Sequence, residues 1–169
     1  MKKIIVIGCP GSGKTTFAQK LKNKTGIPLF YLDAIWHTQD RSHISREEFD
    51  VRLAGILAKD SWIIDGNYSR TIEMRLSRCD TVIYLDFSRW ACLRGMFHRV
   101  IRNYGKHRPD MGGNCKERFD PEFVKWIWEY NQLNRVRNYT WLSQAKHAKT
   151  IVLKNRKEVK EFLAGLEEG

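Results

Sequence analysis

The chain has 169 residues, the length of one domain with a single core. Its 42% hydrophobic and 12% aromatic content exclude a disordered chain. No apolar run approaches the roughly 20 residues of a membrane-spanning helix, and the net charge of +11 implies attraction for anions without saying which.

Met1-Lys2-Lys3 and a short apolar run open the chain like a signal peptide. The run stops at Gly8 and leads into a glycine-rich loop rather than a small-residue cleavage site, so a cytoplasmic location is expected. Five short apolar runs read as buried strands: Lys3–Gly8, Leu29–Asp33, Trp62–Asp65, Thr81–Asp86 and Thr150–Lys154. They do not alternate polar and apolar, which suits a parallel sheet covered on both faces. The first helix begins at the glycine-rich loop, carries Phe17 and Leu21, and ends at Gly26 before Pro28. Ser45 with Glu48 forms a capping box ahead of Phe49, Leu53, Ile56 and Leu57. A basic helix spans Ser88–Tyr104. Asp120-Pro121 caps a long helix bearing Phe123, Ile127 and Tyr130, and Asn155 with Glu158 caps the last one. Alternating strands and helices predict a doubly wound, three-layer α/β/α domain with a five-stranded parallel sheet, residues 1–169 forming one unit. Ligands in such folds sit beyond the carboxyl ends of the strands.

Gly8-Cys9-Pro10-Gly11-Ser12-Gly13-Lys14-Thr15 matches the pattern G-x-x-x-x-G-K-[ST]. It follows an apolar strand and precedes an amphipathic helix, the setting in which backbone N–H groups converge on phosphate oxygens. Gly8, Pro10, Gly11, Ser12, Gly13, Lys14, Thr15 and Thr16 are the expected nucleotide contacts. Lys14 reaches the β- and γ-phosphates, and the Thr15 hydroxyl ligates Mg²⁺. The expected ligand is Mg-ATP; no guanine-reading N-K-x-D motif is present.

Phosphate loop, Tyr31-Leu32-Asp33, Trp62-Ile63-Ile64-Asp65-Gly66-Asn67-Tyr68-Ser69-Arg70, a basic helix and a final strand together resemble the adenylate kinase and shikimate kinase group of small-molecule kinases. Arg108-Pro109-Asp110-Met111, the stretch Gly113 to Cys115 and the stretch Phe123 to Trp128 are similar to bacterial kinase-like proteins labelled "DNA topology modulation protein". The resemblance implies a P-loop kinase fold with a basic lid near residues 99–120. It implies that Asp65 helps hold Mg²⁺, and that Asp33 binds or deprotonates an acceptor hydroxyl, with His37 an alternative base. Arg70 would grip an anionic acceptor, although adenylate kinases place that arginine nearer the glycine.

Arg94, Arg99 and Arg102, extended by Lys106 and Arg108, would form the lid. Arg99 and Arg102 would stabilise the transferring phosphoryl group, and Arg135 and Arg137 would complete the clamp. Gly105, Gly112 and Gly113 are candidate hinges, and Arg156 would border the adenine. Trp126 and Trp128 serve as packing residues or as an acceptor-pocket wall.

The expected activity is transfer of the γ-phosphoryl of ATP to a small-molecule acceptor of unassigned identity. A nucleic-acid-binding or regulatory protein affecting DNA topology is the alternative, compatible with the basic stretches but without a helix-turn-helix, zinc finger or RNA-binding motif. The four cysteines, Cys9, Cys79, Cys92 and Cys115, form no C-x-x-C pair, so neither a disulfide framework nor a zinc ribbon is expected. His107 with Cys115 is too few ligands for a tetrahedral metal site. The sequence assigns no oligomeric state.

Overall fold

Ile4 to Ile7 form an unbroken run of β-branched residues with no exposed surface, so the first strand lies in the middle of a sheet. The computed structural model describes residues 1–38, 42–106, 110 and 116–166. Five parallel strands form one sheet: β1 (Lys3–Gly8), β2 (Leu29–Tyr31), β3 (Trp62–Asp65), β4 (Thr81–Leu85) and β5 (Lys149–Leu153), in the order β2-β3-β1-β4-β5. The helices are α1 (Lys14–Thr25), α2 (Leu32–Trp36), α3 (Arg46–Leu57), α4 (Ile72–Leu76), α5 (Arg89–Asn103), α6 (Pro121–Gln144) and α7 (Arg156–Ala164). This is the expected α/β class.

Alternate side chains of the strands feed two cores, one on each face. Ile4, Val6, Ile63, Ile83 and Leu85 pack with Phe17, Leu21, Met96, Ile127 and Leu163 of α1, α5, α6 and α7. Ile5, Ile7, Ile64 and Val82 pack with Leu53, Leu57, Ile72, Leu76 and Trp141 of α3, α4 and α6. The long α6 therefore contributes to both faces. Asn131 and Arg135 tie it to the end of β4, through the Phe87 carbonyl and the Asp86 carboxylate.

The caps form where the sequence signals them. Ser45 accepts from Glu48 N–H at 3.1 Å, Asp120 from Glu122 and Phe123 N–H, and Asn155 from Glu158 N–H at 3.0 Å. Gly26 closes α1 in the left-handed conformation with its N–H on the Lys22 carbonyl.

Three boundaries differ from expectation. β2 stops at Tyr31, so Asp33 sits in the first turn of α2 rather than at a strand end. β4 ends at Leu85, one residue before Asp86, and β5 runs from Lys149 to Leu153, one residue earlier than expected. Beyond β3 a 3₁₀ turn (Ser69–Thr71) leads into α4, which carries Ile72 and Leu76 into the core. Two short helical pieces of this kind are too brief for a period to show.

Candidate active site

β1 is the topological switch point, because β3 and β4 flank it while the chain runs outward to opposite edges. Its carboxyl end carries the glycine-rich loop. Register sets the next group: Asp65 pairs with Val6, two residues before Gly8, so its carboxylate rises beside the loop. Thr15 donates to Asp65 Oδ2 at 3.0 Å, while the buried Oδ1 has no hydrogen-bond partner. Burial above all raises the Asp65 carboxyl from its ordinary value to about 6; Lys14 and Thr15 oppose this. Lys14 Nζ lies across the loop, donating to the carbonyls of Gly8 at 2.8 Å and Cys9 at 3.1 Å.

Asn67 fastens the loop to the segment after β3. Its Oδ1 accepts from Gly8 N–H at 3.1 Å and its Nδ2 donates to the Gly8 carbonyl at 3.0 Å. That segment is in turn held by Arg75. Wholly buried, Arg75 donates to the carbonyls of Gly66, Asn67 and Tyr68 at 2.7–2.9 Å. Burial lowers this guanidinium to about 9. Tyr68 adopts φ 22°, the one positive φ among the described non-glycine residues. Its ring stacks on Phe49 at 5.4 Å, and its hydroxyl donates to Asp33 Oδ1 at 2.9 Å. Burial, then Asp33, pushes the Tyr68 phenol well above its ordinary range, so it remains a donor.

On the other side of β1, α5 touches the loop backbone to backbone. A Cβ on Gly11 would lie 2.2 Å from the Cys92 carbonyl oxygen, and one on Gly95 would lie 2.1 Å from the Gly11 carbonyl oxygen. Both positions require glycine for this contact, and Gly11 also has φ 80°. The thiols of Cys9 and Cys92 are buried at the same junction, where Cys92 Sγ donates to the Phe87 carbonyl at 3.9 Å, and the Cys92 thiol together with burial holds the Cys9 thiol well above its ordinary range.

These elements enclose a cavity of about 950 Å³. Pro10, Gly11, Gly13, Lys14, Thr15 and Thr16 line its floor, with Asp33, Asp65 and Tyr68 on one side. Arg99 and Arg102 of α5, Arg137 of α6 and Arg156 of α7 line the other, with Trp126. Gly8 and Ser12 stand behind the lining: Gly8 is bound by Asn67, and Ser12 is buried with its N–H on the Cys9 carbonyl at 3.2 Å.

The structure does not bring every expected residue here. Arg70 is on the outer surface, bidentate on Asp50 at 2.7 and 2.9 Å. Arg135 is bound to Asp86 at 2.7 and 3.1 Å, where Tyr139 also donates, and Arg137 reaches the cavity instead. Neither lines the cavity, and a nearby carboxylate holds each. His37 does not line the cavity; its backbone bridges His43. Arg94 is exposed and also outside the lining. Arg99 is paired with the buried Glu117 at 3.0 Å. Trp126 lines the cavity, whereas Trp128 packs on Trp90 and beneath Arg89. Arg108, Met111, Gly112, Gly113 and Cys115 lie outside the described residues, as do His107 and much of the expected lid.

Asn67, Arg75 and Gly95 were not singled out by sequence reasoning. Asn67 follows the Asp65-Gly66 pair, but nothing local shows that it reaches Gly8. Gly95 inside a helix, where glycine is costly, was the available signal of a close backbone approach.

The donor set fits Mg²⁺. The Thr15 hydroxyl and the orphaned Asp65 Oδ1 are hard oxygens beside the glycine-rich loop, and would leave other positions of the ion to ligand oxygens and water. Among the described residues no group of three or more His, Cys, Asp or Glu side chains forms a self-sufficient metal cage.

No family model matches the chain. An adenylate kinase from Thermotoga neapolitana is 29% identical over 80 residues, which is 47% of this chain and 36% of that protein. The match thus spans well under half of the curated relative. Among solved structures, shikimate kinase from Acinetobacter baumannii in complex with shikimate has a TM-score of 0.59 at 15% identity, covering 97% of this chain and 89% of that one. A gluconokinase from Sinorhizobium meliloti gives 0.54 at 18% identity, covering 98% and 91%. A sugar kinase from a Janibacter species gives 0.51 at 17%, covering 100% and 96%. These likenesses establish that the chain has the α/β fold of small-molecule P-loop kinases.

Proposed function

We propose that this protein is a phosphotransferase that moves the γ-phosphoryl group of Mg-ATP to a hydroxyl of a small molecule. The observation that carries the reading is the buried Asp65 carboxylate, bound through Oδ2 to Thr15 and with Oδ1 unpartnered, at the mouth of the phosphate loop. Asp65 and Thr15 would hold Mg²⁺, which would supply positive charge to offset that of the phosphates. Loop N–H groups and the start of α1 receive the phosphates, and Lys14 swings from the Gly8 and Cys9 carbonyls to the β- and γ-oxygens.

Arg99, Arg102, Arg137 and Arg156 lie across the cavity, where they spread negative charge developing on the transferred group. Arg156, at the first turn of α7, borders the nucleotide. Asp33 stands on the acceptor side. The acceptor O–Pγ bond forms as the bond from Pγ to the ADP oxygen breaks, and the hydroxyl proton passes to Asp33. Residues 1–169 form one kinase domain in this reading, with a basic lid near 99–120.

A partial sequence likeness to an adenylate kinase and a likeness of fold to sugar, shikimate and gluconate kinases support the reading. Purified protein with Mg-ATP and a panel of nucleoside monophosphates, nucleosides, sugar acids and shikimate-like hydroxyacids tests it. ADP should rise with one acceptor class and not in Lys14→Ala. ATP binding with no acceptor-stimulated ADP would contradict it, and salt-sensitive, sequence-independent DNA binding would then identify the basic surface as a generic polyanion site.

A further inference from the structure

Lys14 rests on two carbonyls that do not depend on it. The Gly8 carbonyl accepts from Lys14 Nζ at 2.8 Å and from Asn67 Nδ2 at 3.0 Å. The Cys9 carbonyl accepts from Lys14 Nζ at 3.1 Å and from Ser12 N–H at 3.2 Å. Gly8 and Cys9 are both buried, so a carbonyl left there without a donor carries its full desolvation cost. The second donor on Cys9 is local, three residues on in the same loop. The second donor on Gly8 comes from 59 positions away. The ladder between β1 and β3 shows why a side chain is needed there. Its last rung is Gly66 N–H on the Val6 carbonyl at 3.3 Å, and β3 itself ends at Asp65. The Asn67 amide then gives Gly8 both bonds that a further strand residue would have made, one to its N–H at 3.1 Å and one to its carbonyl. Gly8 is not free to turn towards other partners. It pairs with Leu85 so closely that a Cβ on it would lie 2.6 Å from the Leu85 carbonyl oxygen.

Resting on the kinase reading above, we propose that Asn67 is a positioning residue for nucleotide binding, which keeps the Gly8 carbonyl satisfied when the phosphates draw Lys14 away. In the free protein Lys14 and Asn67 share one acceptor, so losing either leaves that carbonyl with one donor. In the nucleotide complex Lys14 goes to the β- and γ-oxygens. Asn67 is then the donor that remains on Gly8 among the described residues, as Ser12 N–H is on Cys9. Without Asn67, binding must either strip the last donor from a buried carbonyl or leave Lys14 in place and forgo its contact with the phosphates. Both routes weaken the hold on the triphosphate. Asn67 thus acts through Lys14 and Gly8, and its amide makes the release of the lysine inexpensive.

Asn67→Ala and the near-isosteric Asn67→Leu, each alone and combined with Lys14→Met, test this. Urea unfolding of the unliganded proteins gives the first readout. Each single change leaves the Gly8 carbonyl one donor, whereas the double change leaves none. The double variants should therefore shift the urea midpoint by more than the two single shifts added together. Calorimetry gives the second readout. Either Asn67 variant should bind Mg-ATP about tenfold more weakly than the unmodified protein, or worse. Affinity within about twofold in both variants would overturn the proposal and leave the kinase reading intact. Weaker binding with strictly additive urea shifts would overturn it too, because Asn67 would then only shape the loop. Mg-ATP binding that needs Asn67, with non-additive urea shifts and yet no acceptor that raises ADP, would sink the phosphotransferase reading and leave the role of Asn67 standing. No Mg-ATP binding by the unmodified protein would sink both.

Discussion

The two halves of the cavity are built in different ways. The half proposed to receive the phosphates is contiguous: Gly8 to Thr16 supply loop, lysine and hydroxyl from one stretch of chain. The half proposed to receive the acceptor is assembled from distant pieces. Asp33 comes from α2, Tyr68 from the turn after β3, and Arg75 from α4 holds that turn from below. A function carried by one short loop leaves a sequence signature. A function carried by packing between separate elements does not, and there a charged residue's neighbour decides its role. Arg70 illustrates this, since Asp50 on α3 captures it before any acceptor can.

The comparison is broken or sharpened by five changes. Lys14→Ala removes the phosphate half's charge and should lower turnover by about a thousandfold with the fold retained; single-turnover kinetics and circular dichroism check both parts. Arg75→Met takes the donor from the Gly66 and Asn67 carbonyls and leaves the Tyr68 carbonyl to Thr71 alone, and should cost about 3 kcal/mol in urea unfolding. It should impair the acceptor KM more than ATP binding, because Tyr68 loses its support.

The third change is of pH. Folding raises the Asp65 carboxyl from about 3.8 to about 6, so the native state holds a proton that the unfolded chain has released. The contribution of Asp65 is therefore full below pH 4 and lost as pH rises towards 6, on the order of 3 kcal/mol. Urea midpoints of the unliganded protein across this range, compared with Asp65→Asn, isolate it. Mg²⁺ needs the ionised carboxylate, so Mg-nucleotide binding should strengthen through the same window.

Gly95→Ala forces a methyl onto the Gly11 carbonyl and should cost about 2 kcal/mol. Displacing the loop, it should also weaken ATP binding, as calorimetry will show. Arg70→Ala should be the mildest, under about 1 kcal/mol, because its partnership with Asp50 is exposed. Its acceptor KM should stay unchanged. A large rise there would return Arg70 to the site.

Much of the fold was legible because it rests on local signals. Unbroken apolar runs marked the strands, and Ser45, Asp120, Asn155 and Gly26 marked helix ends through bonds made within a few residues. The phosphate loop was legible for the same reason. Asp65 was found because strand register carries it to a place that any doubly wound sheet provides. Reading the rest required knowing which elements touch. Asn67 binds Gly8 across 59 positions, and Arg135 meets Asp86 across 49. Neither partnership leaves a mark in spacing or composition. α2 and α4 span only five residues each, too short for helical periodicity to be read.

The most direct test is calorimetric titration of ATP with and without Mg²⁺ at neutral pH, on the unmodified protein and on Asp65→Asn and Lys14→Ala. ATP should bind tightly only with Mg²⁺, lose that dependence in Asp65→Asn, and bind far more weakly to Lys14→Ala. Equal ATP affinity with and without Mg²⁺ in all three proteins would contradict the account.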